Sequence, residues 1–199
     1  MVKGRQADYL AGFLREPAMH ALKQDFITET EYLEGEKISE VRHEYLHGTA
    51  YAMTGASVRH SRVVRSISEA FSRRARAKGC EVFTTDLKLR VDAGARYYYP
   101  DVMVVCHPVD GSAYWVDNPC SIVEVLSPST AATDRREKFL AYQGVASMRE
   151  YILVDPDTPQ VEVWRRLPDR WKHETAGLDG DVLVDCLEAF IPVAEFYRD

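Results

Sequence analysis

Two apolar runs each carry a single acid: Tyr97-Tyr-Tyr-Pro-Asp101-Val-Met-Val-Val105 and Ser121-Ile-Val-Glu124-Val-Leu126. Apolar residues on both sides of each acid predict strands covered on both faces. Around them the pattern predicts mixed elements. Thr28-Glu-Thr-Glu31 opens a short helix with a capping box. Arg42–Leu46 and Thr49–Thr54 flank His47-Gly48 as a hairpin. A long amphipathic helix spans about residues 58–78 and ends at Gly79. Strands follow at Glu81–Thr84, Leu87–Val91, Tyr97–Val105 and Ser121–Leu126. A helix near Asp134–Gln143, ended by Gly144, leads to strands at Glu150–Asp155 and Gln160–Arg165. Trp171–Thr175, Val182–Asp185 and Leu187–Ile191 predict a small C-terminal β meander. This order predicts an α/β fold, a mixed sheet with helices against it.

Residues 1–18 read as an N-terminal extension, with Met19 as a candidate natural start, and residues 19–199 as a single domain. No apolar stretch approaches the roughly 18 residues of a membrane span, and the first residues lack the apolar core of a signal peptide. The expectation is a soluble, cytoplasmic protein that does not enter membranes. The four cysteines, Cys80, Cys106, Cys120 and Cys186, lack CxxC spacing and read as reduced core residues. A net charge of −6 does not by itself indicate a nucleic-acid binder. Its distribution is uneven. Between Arg59 and Lys78 there are seven basic residues against the single acid Glu69. Arg62, Arg65, Arg73 and Arg76 share a helical face opposite Val63, Ile67, Ala70 and Phe71. That face is either a solvated exterior or a contact surface for backbone phosphates.

An ionised carboxylate buried without a partner is costly, so Asp101 and Glu124 call for a shared cation. Their separation of 23 residues suits neighbouring strands joined by the turn-rich segment Pro108–Pro119. Two such carboxylates can hold Mg²⁺ while leaving room for water and a phosphate oxygen. The competing reading pairs each acid with an arginine or places it at a strand end. No Gly-rich phosphate loop or Gly-x-Ser-x-Gly elbow is present, which argues against nucleotide-loop and serine-hydrolase chemistry.

Pro100-Asp101 followed by Glu124 in a strand resembles the PD-(D/E)XK nuclease superfamily. The chain is more closely similar to the Uma-type restriction endonuclease family. The likeness is carried by His43-Glu-Tyr-Leu-His-Gly48, Met53-Thr-Gly-Ala-Ser57 with His60, Tyr98-Tyr-Pro-Asp-Val102, Val123-Glu-Val-Leu-Ser-Pro-Ser-Thr130, Asp134 through Lys138 with Tyr142, and Glu150-Tyr-Ile-Leu-Val-Asp155. These stretches span about residues 26–195. The resemblance implies a restriction-endonuclease-like sheet. It also implies a phosphodiesterase site in which Asp101 and Glu124 bind Mg²⁺ (or Mn²⁺), with the Val125 backbone carbonyl as a third contact.

One departure stands out. The superfamily pattern places a lysine two residues after the glutamate, and here that residue is Leu126. The resemblance makes Lys138, on the following helix, the relocated lysine, with Lys88 as the runner-up. Their ordinary readings are an i, i+4 surface pair for Lys138 and a strand residue for Lys88. Glu44 is expected to support the metal shell, or else to pair with Arg42 or His43. Asp86 is a further ligand or a turn residue, and His60 a catalytic or a cap-region residue. Tyr97, Tyr98 and Tyr99 read as strand residues, base stacking being the other reading. The resulting expectation is a Mg²⁺-dependent DNA endonuclease acting as a homodimer, since duplex cleavage needs two cuts. The alternative is an inactive nuclease-fold protein that binds nucleic acid or protein.

Overall fold

The computed structural model describes residues 26–198; the expected extension and the candidate start at Met19 lie outside the described residues. Strands β1 (His43–Leu46), β2 (Thr49–Ala52), β3 (Glu81–Thr84), β4 (Lys88–Val91), β5 (Arg96–Tyr98), β6 (Val102–Val105) and β7 (Trp115–Val116) precede β8 (Ser121–Val125). After it come β9 (Glu150–Asp155), β10 (Gln160–Arg166), β11 (Trp171–Gly177), β12 (Asp181–Val184) and β13 (Ala189–Pro192). The principal sheet has six strands in the order β11-β10-β9-β8-β6-β3, with β8 and β9 parallel and the other pairs antiparallel. A five-stranded sheet, β2-β1-β5-β4-β7, lies beside it. Helix α1 (Glu29–Glu36) and helix α2 (Val58–Ala75) precede β3. A composite helix follows β8: α3 (Ala131–Thr133), a π-helical turn (Asp134–Lys138) and α4 (Phe139–Gln143).

The local signals act where expected. The Thr28 side chain accepts from the Glu31 N–H while the Glu31 carboxylate accepts from the Thr28 N–H, closing the capping box of α1. His47 and Gly48 both take positive φ, 48° and 93°, as a tight hairpin between twisted strands requires. Val63, Ile67, Ala70 and Phe71 are the buried stripe of α2, and Gly79 ends the helical run in the left-handed region.

All five residues of β8 are buried. On one face Val123 and Val125 meet α2 and the C-terminal β12–β13 hairpin; on the other, Ile122 packs with Leu126, Ala141 and Tyr142. Burial on both faces explains its unbroken apolar character.

Three expectations change. The run Tyr97–Val105 is two strands in two different sheets, because Pro100 cannot donate to a ladder and restricts the residue before it. Asp101 therefore sits at the passage between sheets. The C-terminal meander is divided: β11 extends the principal sheet, and β12 and β13 pair only with each other. The cysteines are not scattered in space. Cys80 is bonded to Cys106 and Cys120 to Cys186, because residues far apart in sequence meet at one end of the sheet.

Candidate active site

The β6–β8 register pairs Val102 with Val123, and one further step sets Asp101 opposite Glu124. The two acids are directly linked through the backbone. Asp101 Oδ2 accepts from the Val125 N–H at 2.8 Å, and Glu124 Oε2 faces the Asp101 N–H at 3.4 Å. Val125 thus meets the site through its N–H, while its backbone also hydrogen-bonds His60. Glu124 is buried, and Oε1 accepts from Lys138 Nζ and Tyr142 OH, both at 3.1 Å.

Lys138 lies at the end of the π-helical turn. Its Nζ is 3.0 Å from Glu44 Oε1, 3.1 Å from Glu124 Oε1 and 3.3 Å from Asp134 Oδ1. It also sits 5.8 Å from the centre of the Tyr98 ring. A π turn shifts the residues after it around the helix axis, and such turns recur at functional sites. Here both Asp134 and Lys138 are buried. His60, in the first turn of α2 behind the Ser57 cap, places Nε2 3.3 Å from Asp101 Oδ2.

The cluster holds Glu44, Asp101, Glu124 and Asp134 against one lysine and one histidine. Burial raises the Glu124 carboxyl well above the carboxylate range; Lys138 opposes this, while Asp134, Asp101 and Glu44 push further upward. Asp134 is likewise raised by burial, against the pull of Lys138. Burial works against the charge on Lys138, but Glu124, Glu44 and Asp134 outweigh it and hold the ammonium charged. Burial also works against a charged His60, yet its hydrogen bond to Asp101 and the Asp101 charge leave it raised. Asp134 Oδ1 is buried, with Lys138 Nζ 3.3 Å away. An excess of carboxylates over cations in this cluster fits a hard divalent cation such as Mg²⁺ or Mn²⁺. Asp101 and Glu124 could hold it.

The remaining candidates separate. Leu126 is buried in the apolar cluster beside Tyr98 and Tyr142, with no polar role. Lys88 is buried 5.4 Å from the Tyr99 ring, its ammonium lowered by burial and partly sustained by Glu36; it belongs to that neighbouring group. Asp86 is exposed and engaged by Arg42, so the structure does not bring it into the cluster. Tyr97, Tyr98 and Tyr99 are buried, and their hydroxyls donate to Glu29, Glu137 and Glu36, which removes base stacking. On the basic face, Arg65 pairs with Glu69, while Arg73 and Arg74 share Glu195. Arg76 lies near Glu69 and Arg73 around a surface hollow. Arg62 lines a groove with Arg59 and Arg198. Asp134 and Tyr142 join the site without having been singled out as site residues. The available signal was their placement four residues before and after Lys138.

The profile of the Uma2 family, described as "Putative restriction endonuclease", matches residues 29–192. Two relatives come from Synechocystis sp., "Uncharacterized protein slr1290" and "Uncharacterized protein sll1609". The first is 35% identical over 144 residues, covering 72% of this chain and 76% of the relative. The second is 33% identical over 147 residues, covering 72% and 83%. A solved structure from Anabaena variabilis, named as a "putative nuclease belonging to DUF820", superposes with a TM-score of 0.69. It is 20% identical and covers 86% of this chain and 97% of its own, a likeness of fold. By this match over most of its length, the chain belongs to the Uma2 family and has its restriction-endonuclease-like fold.

Proposed function

We propose that the chain is a Mg²⁺- or Mn²⁺-dependent endonuclease that hydrolyses phosphodiester bonds in DNA. One observation carries the reading: Lys138 Nζ reaches Glu124 within 3.1 Å from the adjacent helix, beside Asp101. That position supplies the cation which Leu126 cannot. Asp101 and Glu124 would hold the ion, with the Val125 carbonyl as a further contact. When bound, the ion would supply a water of lowered pKa and a clamp on phosphate oxygens. Lys138 orients the attacking water and offsets negative charge developing on the phosphorus oxygens. Glu44 and Asp134 fix the Lys138 ammonium in place. His60 fixes the rotamer of Asp101. Arg62, in the groove at the start of α2, and Arg73 would contact phosphates. Arg65 and Arg76 would serve as outer phosphate contacts. Cutting both strands of a duplex would use two copies of the chain.

The test is a cleavage assay on DNA and RNA with Mg²⁺ or Mn²⁺, comparing wild type with Asp101→Asn. Asp101→Asn should abolish metal-dependent cleavage while leaving the thermal unfolding profile cooperative. Cleavage by that variant at the wild-type rate would overturn the site. Calorimetry tests the binding-module reading, in which Lys138 serves only as an internal counter-ion for its three carboxylates. That reading expects no Mg²⁺ heat in wild type or in Glu124→Ala. The enzyme reading expects a heat that Glu124→Ala removes.

A further inference from the structure

The register that opposes Asp101 and Glu124 also gathers the cysteines. Glu81 pairs with Val105, so Cys80 and Cys106 are opposed at the end of the β3–β6 pair. The Cys120 N–H donates to Val104 O at 2.8 Å, bringing Cys120 to the same end of the sheet from β8. Cys186, in the short turn (Asp185–Leu187) between β12 and β13, closes over them. Cys106 Sγ, bonded to Cys80, lies 3.5 Å from Cys120 Sγ, bonded to Cys186, so Cys80 adjoins the group through Cys106. The sulfurs of Cys106, Cys120 and Cys186 all fall within 4.8 Å of one another.

Two disulfides are one way for four such sulfurs to close; a shared ion is the other. Tetrahedral zinc with Zn–S bonds of about 2.3 Å sets its sulfurs about 3.8 Å apart, close to the 3.5 Å contact between the pairs. Four thiolates from four separate segments are a closed, structural donor set, unlike the oxygen donors of Asp101 and Glu124. Cys106 is exposed and gives an ion a way in, while Cys80 and Cys120 are buried.

We infer that the reduced chain holds Zn²⁺ on Cys80, Cys106, Cys120 and Cys186, a site that ties the β12–β13 hairpin to the end of the principal sheet. Two equivalents of a dithiol reduce the two disulfides. Four electrons and four protons pass to sulfur, and the dithiol leaves as its own disulfide. Zn²⁺ then displaces the four thiol protons to form a tetrathiolate of net charge −2. In a reducing compartment the thiol form is the expected one.

The full-length chain is reduced with a phosphine, freed of it, and titrated with Co²⁺ and then Zn²⁺. The expected result is one equivalent of Co²⁺ with thiolate-to-metal charge-transfer absorption and intense tetrahedral visible bands, displaced by Zn²⁺. Four thiols should react with a thiol reagent before metal and none after. Cys106→Ser, at an exposed position, should retain the wild-type circular dichroism. It should weaken Zn²⁺ by more than the about 10–100-fold typical of changes behind the ligands. Asp101→Asn should leave the charge-transfer band unchanged, separating this site from the carboxylate one. The inference is overturned by a reduced, folded chain that shows no charge-transfer band. It is equally overturned by Zn²⁺ affinity unchanged in Cys106→Ser, or by disulfides that open only when the chain unfolds.

Discussion

Lys138 is held where few lysines are found: buried, charged, and within 3.3 Å of three carboxylates. Removing its charge leaves Glu44, Glu124 and Asp134 without a counter-ion in poorly solvated surroundings. Breaking a buried pair in this way costs about 3–5 kcal/mol. The carboxyls can escape part of that cost by keeping protons. The folded pKa values of Glu124 and Asp134 then rise further above the unfolded ones, so the folded state binds more protons and stability falls as pH rises. Lys138→Met should therefore be destabilised more at mildly alkaline than at mildly acid pH, as chemical denaturation in each buffer would show. On the proposed nuclease reading, metal-dependent cleavage by this variant should fall by about 10²–10³, the usual cost of losing one group that stabilises transition-state charge. Lys138→Arg should recover part of both. Equal destabilisation at the two pH values would contradict the charge argument.

At the scale of elements, the β1–β2 hairpin delivers Glu44 to the site through a two-residue turn. Gly48 sits at φ 93°, and a Cβ added there would lie 2.3 Å from the Phe26 ring. Gly48→Ala should cost about 1–2 kcal/mol from backbone strain alone, measurable as a lowered urea midpoint with unchanged m-value. This turn, the capping box of α1 and the buried stripe of α2 were legible in the sequence because each depends on neighbours within one or two turns of chain. The π-helical turn was not. Its residues, Asp134-Arg-Arg-Glu-Lys138, are ordinary helix formers, and only contacts to β8 and β1 reward its extra residue per turn. Leu126, read from the sequence as unable to serve as the missing lysine, is buried in the apolar cluster.

The whole molecule carries an unusual set of buried phenols. Tyr32, Tyr97, Tyr98 and Tyr99 are all held above the ordinary value of 10.0, burial being the largest cause in each, with nearby glutamates adding to it. Above pH 10 the unfolded chain loses these protons while the folded chain keeps them. Stability therefore falls as pH rises, by up to about 1.4 kcal/mol per pH unit for each tyrosine that keeps its proton. Alkaline titration should show phenolate absorbance appearing together with loss of circular dichroism. Phenolate formation by these groups in a chain that stays folded would contradict the burial argument. Among the described residues no helix is long and apolar enough to cross a membrane.

What the sequence alone determined is local or periodic: caps, hairpin turn, strand and helix types, and the two acids set into apolar runs. The fold class followed from their order, and the family likeness from motifs along most of the chain. Tertiary structure decided the rest. It split Tyr97–Val105 at Pro100 and placed Asp101 between two sheets. It drew Glu44, His60, Asp134 and Tyr142 around Asp101, Glu124 and Lys138. It also brought four cysteines to one end of the sheet. The physical reason is common to all three. Strand register between distant segments is set by which faces can be buried together, and residues that meet through it need leave no periodic mark on the chain.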